Sequence, residues 1–215
     1  MIEIVQSESF ARWMAKLRDR RAIARINARV RRLSEDGNFG DAKSVRGGVS
    51  ELRIDHGPGY RIYFMRRGQV MVVLLAGGDK STGRRHQTRD RDCQGMEGLN
   101  MAEKFTRWDP VDSLKTEEDM ALYLDACLDE DPGDGSLVRA ALNDVARAKG
   151  MTQLARDSGI TREGLYKALS AEGNPEFSTV LKVVKALGLQ LHAAPAAAKT
   201  KKATRKRSTG RLATA

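Results

Sequence analysis

The sequence predicts an α+β module followed by an all-α module that ends in a helix-turn-helix, with a basic disordered tail behind it. Three observations predict this. Residues 1–82 read as strand, two helices and three strands, in the order βααβββ. The sequence restarts at Met101 as Met-Ala-Glu-Lys-Phe-Thr-Arg-Trp-Asp-Pro, and the residues after it have a helical period. Charge also divides the chain: residues 1–100 hold 20 Lys/Arg against 12 Asp/Glu, residues 101–195 hold 11 against 16, and residues 196–215 hold seven with no acid. The expected boundaries are 1–82, a linker at 83–108, a second module at 109–192 and the tail at 193–215. A basic module beside an acidic one predicts mutual attraction.

Glu3-Ile4-Val5 reads as a short strand. Ser7 opens a helical pattern with apolar Phe10, Trp13, Met14 and Leu17. The next helix carries Ile23, Ile26, Val30 and Leu33 at three- and four-residue spacing and stops at Gly37 and Gly40. Its other faces hold Arg20, Arg21, Arg25, Arg29, Arg31 and Arg32, suited to solvent or to a nucleic-acid backbone. Three strands come next. Val49 to Ile54 and Tyr60 to Phe64 alternate, and Val70 to Ala76 is an apolar run, with breaker-rich turns between them. The expected sheet is antiparallel with two helices packed on it. Arg53 and Arg61 each alternate with apolar neighbours, which puts both on the open face.

In the second module, Thr116 caps a helix to about Leu128, with Met120, Leu124 and Leu128 marking one face. No Lys or Arg occurs from Thr116 to Val138, while Glu117, Glu118, Asp119, Asp125, Asp129, Glu130, Asp131 and Asp134 do. This acidic stretch is expected to dock on the basic module. A helix from Ser136 to Lys149 comes after it. The sharpest local pattern lies at residues 152–169. Ala155 is small where two helices cross, Gly159 suits a turn at positive φ, and Leu154, Ile160, Leu165 and Leu169 form a seam. Thr152 and Thr161 are expected N-caps, and a last helix from Thr179 to Leu187 packs behind. Gln153, Thr161, Arg162, Glu163, Tyr166 and Lys167 are the exposed candidates for DNA contact, the helix from Thr161 entering the major groove.

Composition narrows the classes. Apolar content of 40% supports two small cores. No run nears the roughly 18 apolar residues of a membrane helix, and MIEIVQSESF lacks the pattern of a secretory signal. Cys93 and Cys127 lie in different modules and are expected as reduced thiols of a cytoplasmic protein. Three scattered histidines suggest no metal site, and no cofactor is expected.

Residues 1–82 also carry a resemblance. Lys43-Ser-Val-Arg46-Gly-Gly-Val-Ser-Glu51-Leu-Arg53-Ile54, then Gly59-Tyr-Arg61-Ile-Tyr-Phe64, then Gly77-Gly-Asp-Lys80-Ser-Thr82 resemble the RelE/ParE toxin superfamily. More narrowly they are similar to its HigB-like "addiction module killer" branch. The resemblance implies one of two activities. Many members cleave messenger RNA on the ribosome without a metal, through attack of a ribose 2′-hydroxyl on the adjacent phosphate; members of the ParE branch poison DNA gyrase. For cleavage it implies Arg61 as the clamp on the pentavalent phosphorane, with Arg53 and Lys80 binding phosphate and stabilising charge. Lys43, Arg46, Arg25 and Arg29 are candidates for contact with the RNA backbone. Residues 109–191 are similar to the HigA-like "addiction module antidote" family, related to Cro/CI repressors. That likeness implies a toxin-neutralising antitoxin that represses its own operon, binding as a dimer on two-fold operators. The resulting expectation is a toxin–antitoxin fusion. A DNA-binding regulator with an inactive toxin-like assembly half is the alternative.

Overall fold

The computed structural model describes residues 2–37, 39–45, 48–68, 71–79, 104–193 and 195. Glu3–Ser7 forms β1, after which Ser7 caps α1 (Glu8–Lys16) by accepting from the Phe10 N–H at 3.1 Å. Asp19 caps α2 (Arg20–Asp36) in the same way, accepting from the Ala22 N–H at 3.0 Å. Gly37 ends α2 at φ 69°, a left-handed position that suits glycine. The chain then runs through β2 (Ala42–Ser44), β3 (Val49–Ile54), β4 (Tyr60–Arg67) and β5 (Met71–Asp79). In the second half, β6 (Phe105–Arg107) leads into a 3₁₀ turn at Pro110–Ser113. Five helices complete the order: α3 (Glu117–Glu130), α4 (Ser136–Lys149), α5 (Met151–Ser158), α6 (Arg162–Leu169) and α7 (Phe177–Ala186).

One six-stranded sheet runs in the order β2-β3-β4-β5-β1-β6. The neighbours from β2 to β5 are antiparallel, but β1 lies parallel to β5, with Ile4 opposite Val72. The expected all-antiparallel sheet is therefore a mixed one. Alternating side chains fix which face of a strand is buried and leave its neighbour open, so Glu-Ile-Val could not announce its partner. The sheet also takes a strand from the second half. β6 lies antiparallel on β1, with Phe105 opposite Ser7, inside the stretch expected as linker.

Two cores form, and each borrows from the other half. Phe10, Ile26, Val30, Leu33, Leu52, Ile62, Phe64 and Leu74 fill the space between sheet and helices, and Trp108 of the second half joins them. The Trp108 N–H donates to the Ile4 carbonyl at 3.0 Å. Ala24 and Ala28 of α2 belong to the other core, with Tyr123, Leu124, Leu137, Leu142, Leu154, Leu165 and Val183. Helix α2 is thus sandwiched: its Ile/Val/Leu face meets the sheet and its alanine face meets α3, where small side chains allow close approach. In β5, Gly77 leaves the space that the Trp13 ring occupies; a Cβ there would stand 2.1 Å from the ring. Leu128 does not share the buried face of Met120 and Leu124 as expected. It is exposed, and Tyr123 and Cys127 complete that face instead.

Candidate functional site

Three surfaces carry the candidate residues. The first is the sheet face turned away from the helices. Arg53 and Arg61 are cross-strand partners there, and Glu51 stands opposite Tyr63 in the next register position. Arg53 Nε donates to Glu51 Oε1 at 2.7 Å, Arg61 donates to the same oxygen, and the Tyr63 hydroxyl donates to Oε2 at 3.4 Å. Glu51 is buried, which acts to raise its pKa, but the two arginines outweigh that and hold the carboxyl below its ordinary range. Lys43 of β2 is exposed and paired in register with Glu51. Arg46 and Lys80 lie outside the described residues.

The second surface is the arginine face of α2. Much of it meets acids of α3. Arg20 reaches Glu118, and its Nε stands 3.7 Å from Asp119. Arg25 stands 3.6 Å from Asp129, while Arg29 and Arg32 both bond Glu130, Arg32 at 3.2 Å. Arg31 turns inward to the buried Asp144 of α4, with Nε 3.3 Å from Oδ2. The candidate backbone contacts Arg25 and Arg29 are thus engaged within the chain. Not every acid of the stretch docks. Glu117 pairs with Lys149 at 2.6 Å. Asp119 also closes a capping box with Thr116. Asp131 accepts from the N–H groups of Leu137 and Val138 at 3.1 and 3.2 Å, and Asp134 from Ser136 at 2.9 Å, so both cap the start of α4.

The third surface belongs to α5 and α6. Gly159 turns between them at φ 68°, and Thr161 caps α6 by accepting from the Gly164 N–H at 3.0 Å. Leu154, Leu165 and Leu169 are buried between the helices. Thr152, expected as a cap, lies inside α5, which starts after Gly150. Gln153, Thr161, Arg162, Glu163, Tyr166 and Lys167 are all exposed. The Arg162 guanidinium lies 5.5 Å from the Tyr166 ring centre, and Gln153 donates to Asp157 at 2.8 Å. Among the described residues no group of His, Cys, Asp or Glu could hold a metal ion, and no helix is long and apolar enough to cross a membrane. Burial pushes the Cys127 thiol far up, so it is a packing group and not a nucleophile.

Sequence reasoning missed the groups that join the halves, Trp108 and the Arg31–Asp144 pair. Asp144 had a signal: it is a lone acid seven residues after Leu137 and three after Ala141, on the apolar stripe of α4. Arg31 had none, being one arginine among many.

Fold and surfaces define the class first: an α+β protein in which a helical half, with an exposed two-helix turn, clasps a basic mixed sheet. The particular family comes from comparison. A family model described as probable addiction module antidote protein matches residues 104–195. Two proteins of Haemophilus influenzae (strain ATCC 51907 / DSM 11121 / KW20 / Rd), each described as an uncharacterized protein, are similar to the chain. One is 53% identical over 90 residues, 42% of this chain and 91% of the relative; the other is 54% identical over 81 residues, 38% and 81%. No solved structure matches. The chain belongs, through its second half, to the addiction module antidote family, which marks that half as the antitoxin part of a toxin–antitoxin system.

Proposed function

We propose that the chain is a toxin–antitoxin pair carried on one polypeptide. The first half is a RelE/HigB-like toxin, and the second half neutralises it and represses its own operon through a Cro/CI-like helix-turn-helix. The carrying observation is the α2 face, where Arg20, Arg25, Arg29, Arg31 and Arg32 each meet an acid of the antidote half. A nucleic-acid-binding toxin needs such a face free, and an antitoxin must take it. β5 ends and β6 begins at the same end of the sheet with only β1 between them; β5 runs four residues past the level of Phe105, which puts the two ends roughly 16 Å apart, a gap that the 25 residues between them are long enough to span in cis. A tether of this kind supplies an effective concentration of order millimolar, which keeps the toxin half covered until the antitoxin half is destroyed.

The chemistry proposed for the free toxin half is cleavage of messenger RNA on the ribosome. Arg61 grips the phosphorane that forms when the 2′-hydroxyl attacks, Arg53 and Lys80 stabilise charge on the phosphate, and Lys43 and Arg46 hold the backbone. In the antitoxin half, Thr161, Arg162, Glu163, Tyr166 and Lys167 enter the major groove of operator DNA, and Gln153 approaches from α5. Phe177 and Leu181, one turn apart and exposed on α7, supply an apolar contact for a two-fold dimer. One observation favours a second reading. Glu51 ties up both Arg53 and Arg61 from within their own hairpin and offsets part of their charge, as befits a DNA-binding regulator whose first half only assembles.

The test places a protease site between residues 83 and 100 of the full chain, cleaves it in bacteria and lets the second half be degraded. Growth arrest with new RNA 5′ ends, lost in Arg61→Ala, is the expected result. Arrest with DNA breaks and intact RNA indicates a gyrase poison. Normal growth with a folded first half indicates the regulator.

A further inference from the structure

We infer that Arg31 and Asp144 form the recognition lock between the two halves: a closed acidic socket on α4 that accepts a partner helix only where it presents a guanidinium. The inference rests on the reading of the second half as the element that covers the first. Asp144 has 0% of its surface exposed. Within its own half, the Tyr123 hydroxyl donates to it at 2.9 Å and Arg147 at 2.8 Å. Arg147, however, also grips Asp109 with both guanidinium nitrogens, at 2.7 and 2.9 Å. One cation is thus divided between two carboxylates, and the buried negative charge is only partly compensated until Arg31 arrives from α2. Burial works to raise the Asp144 pKa, and the charges of Arg31 and Arg147 work against it.

The rim pairs are of a different kind. Arg20, Arg25, Glu118 and Asp129 are all about half exposed or more, and pairs screened by solvent contribute little. A buried carboxylate left without its cation is expensive, whereas removing both charges is nearly neutral. Selectivity therefore concentrates at Asp144, which is fully buried, whereas Glu130, shared by Arg29 and Arg32, keeps about a third of its side chain exposed: a basic surface without an arginine opposite Asp144 can satisfy the other pairs and still be rejected. The geometry also favours arginine over lysine. Arg31 Nε stands 3.3 Å from Asp144 and its terminal nitrogen 3.2 Å from Glu35 one turn on, two charge contacts without hydrogen-bond alignment; the spread charge of a guanidinium meets both, where the point charge of an ammonium meets one.

The experiment uses the full chain with a protease site between residues 83 and 100, cut after purification, and measures dissociation of the two halves. Arg31→Met is expected to weaken their association about 100-fold, Arg31→Lys about tenfold, and the rim control Arg25→Met less than about threefold. Adding Asp144→Asn to Arg31→Met is expected to recover at least about tenfold, because it removes the orphaned charge. Arg31→Met behaving like Arg25→Met overturns the lock. So does a double variant that folds, by circular dichroism, and shows no recovery. Unmutated halves that part as soon as the linker is cut overturn the docking reading itself, a result separate from both.

Discussion

Two arginine-rich faces of the first half differ in where their counter-charges come from. On the outer sheet face, Arg53 and Arg61 are held by Glu51, a residue of the same hairpin. On α2, Arg20 and Arg29 are held by Glu118 and Glu130, 98 and 101 residues downstream. A local counter-charge travels with its strand and cannot be withdrawn. A counter-charge from another half leaves when that half leaves, and no strand of β2 to β5 need unfold. On the proposed function, the α2 face is therefore the one the chain switches, while the sheet face keeps its local counter-charge.

The largest effect expected is from Trp108→Ala. It removes a buried aromatic that the second half inserts into the first half's core, and should cost about 3 kcal/mol in denaturant unfolding while loosening β6. A cost below about 1 kcal/mol would break the claim that the halves share a core. Gly77→Ala acts on the sheet alone: the Trp13 ring must shift, at about 2 kcal/mol, and association of the halves should not change. Equal weakening of that association would erase the contrast between the faces. Glu130→Gln takes a shared acceptor from Arg29 and Arg32. It should cost about 1 kcal/mol at low salt and less at high salt, measured by paired melts.

Acid sharpens the same contrast. Burial acts to raise Asp109 and Glu51, but hydrogen bonds from Arg147 on one and from Arg53 and Arg61 on the other leave both lowered. With folded values depressed, protons bind the unfolded chain first. The stability these groups confer is present above their unfolded pKa, about 4, and is lost as pH falls through the folded values. Asp144, raised by burial, contributes in the opposite direction. Urea midpoints should therefore fall between pH 6 and pH 3, and a midpoint that rose would show that Asp144 dominates. The smallest structural effect is expected from Tyr166→Ala, within about 0.5 kcal/mol on melting because the ring is exposed. On the proposed function it should nevertheless weaken operator binding in a gel-shift titration.

Much of the local structure was legible in the sequence. The helix from Ser136 to Lys149 has the expected bounds, and Gly159 and Thr161 act as the turn and cap their chemistry suggests. These features depend on residues within one turn of each other. The illegible features depend on partners far along the chain. Phe-Thr-Arg is too short to show a strand period, so β6 read as linker. Leu128 fits a four-residue step from Leu124 but turns outward, because the buried stripe runs through Tyr123 and Cys127. The arginines of α2 read as one undifferentiated face, and only packing separates Arg31, 14% exposed against a buried carboxylate, from its half-exposed neighbour Arg25. Of the candidate sheet-face set, Arg53 and Arg61 lie opposite each other on neighbouring strands, in line with their alternation; Lys43, with no such pattern around it, lies on β2 opposite Glu51, and Arg46 and Lys80 fall outside the described residues.

The most direct test of the clasp is backbone amide hydrogen exchange in the intact chain, read at the Trp108 amide beside those of β3 and β4. The bond from Trp108 to Ile4 and the buried ring predict protection at Trp108 close to that of the β3–β4 ladder. Exchange at Trp108 as fast as in an open peptide, with β3 and β4 still protected, would contradict a second half built into the first.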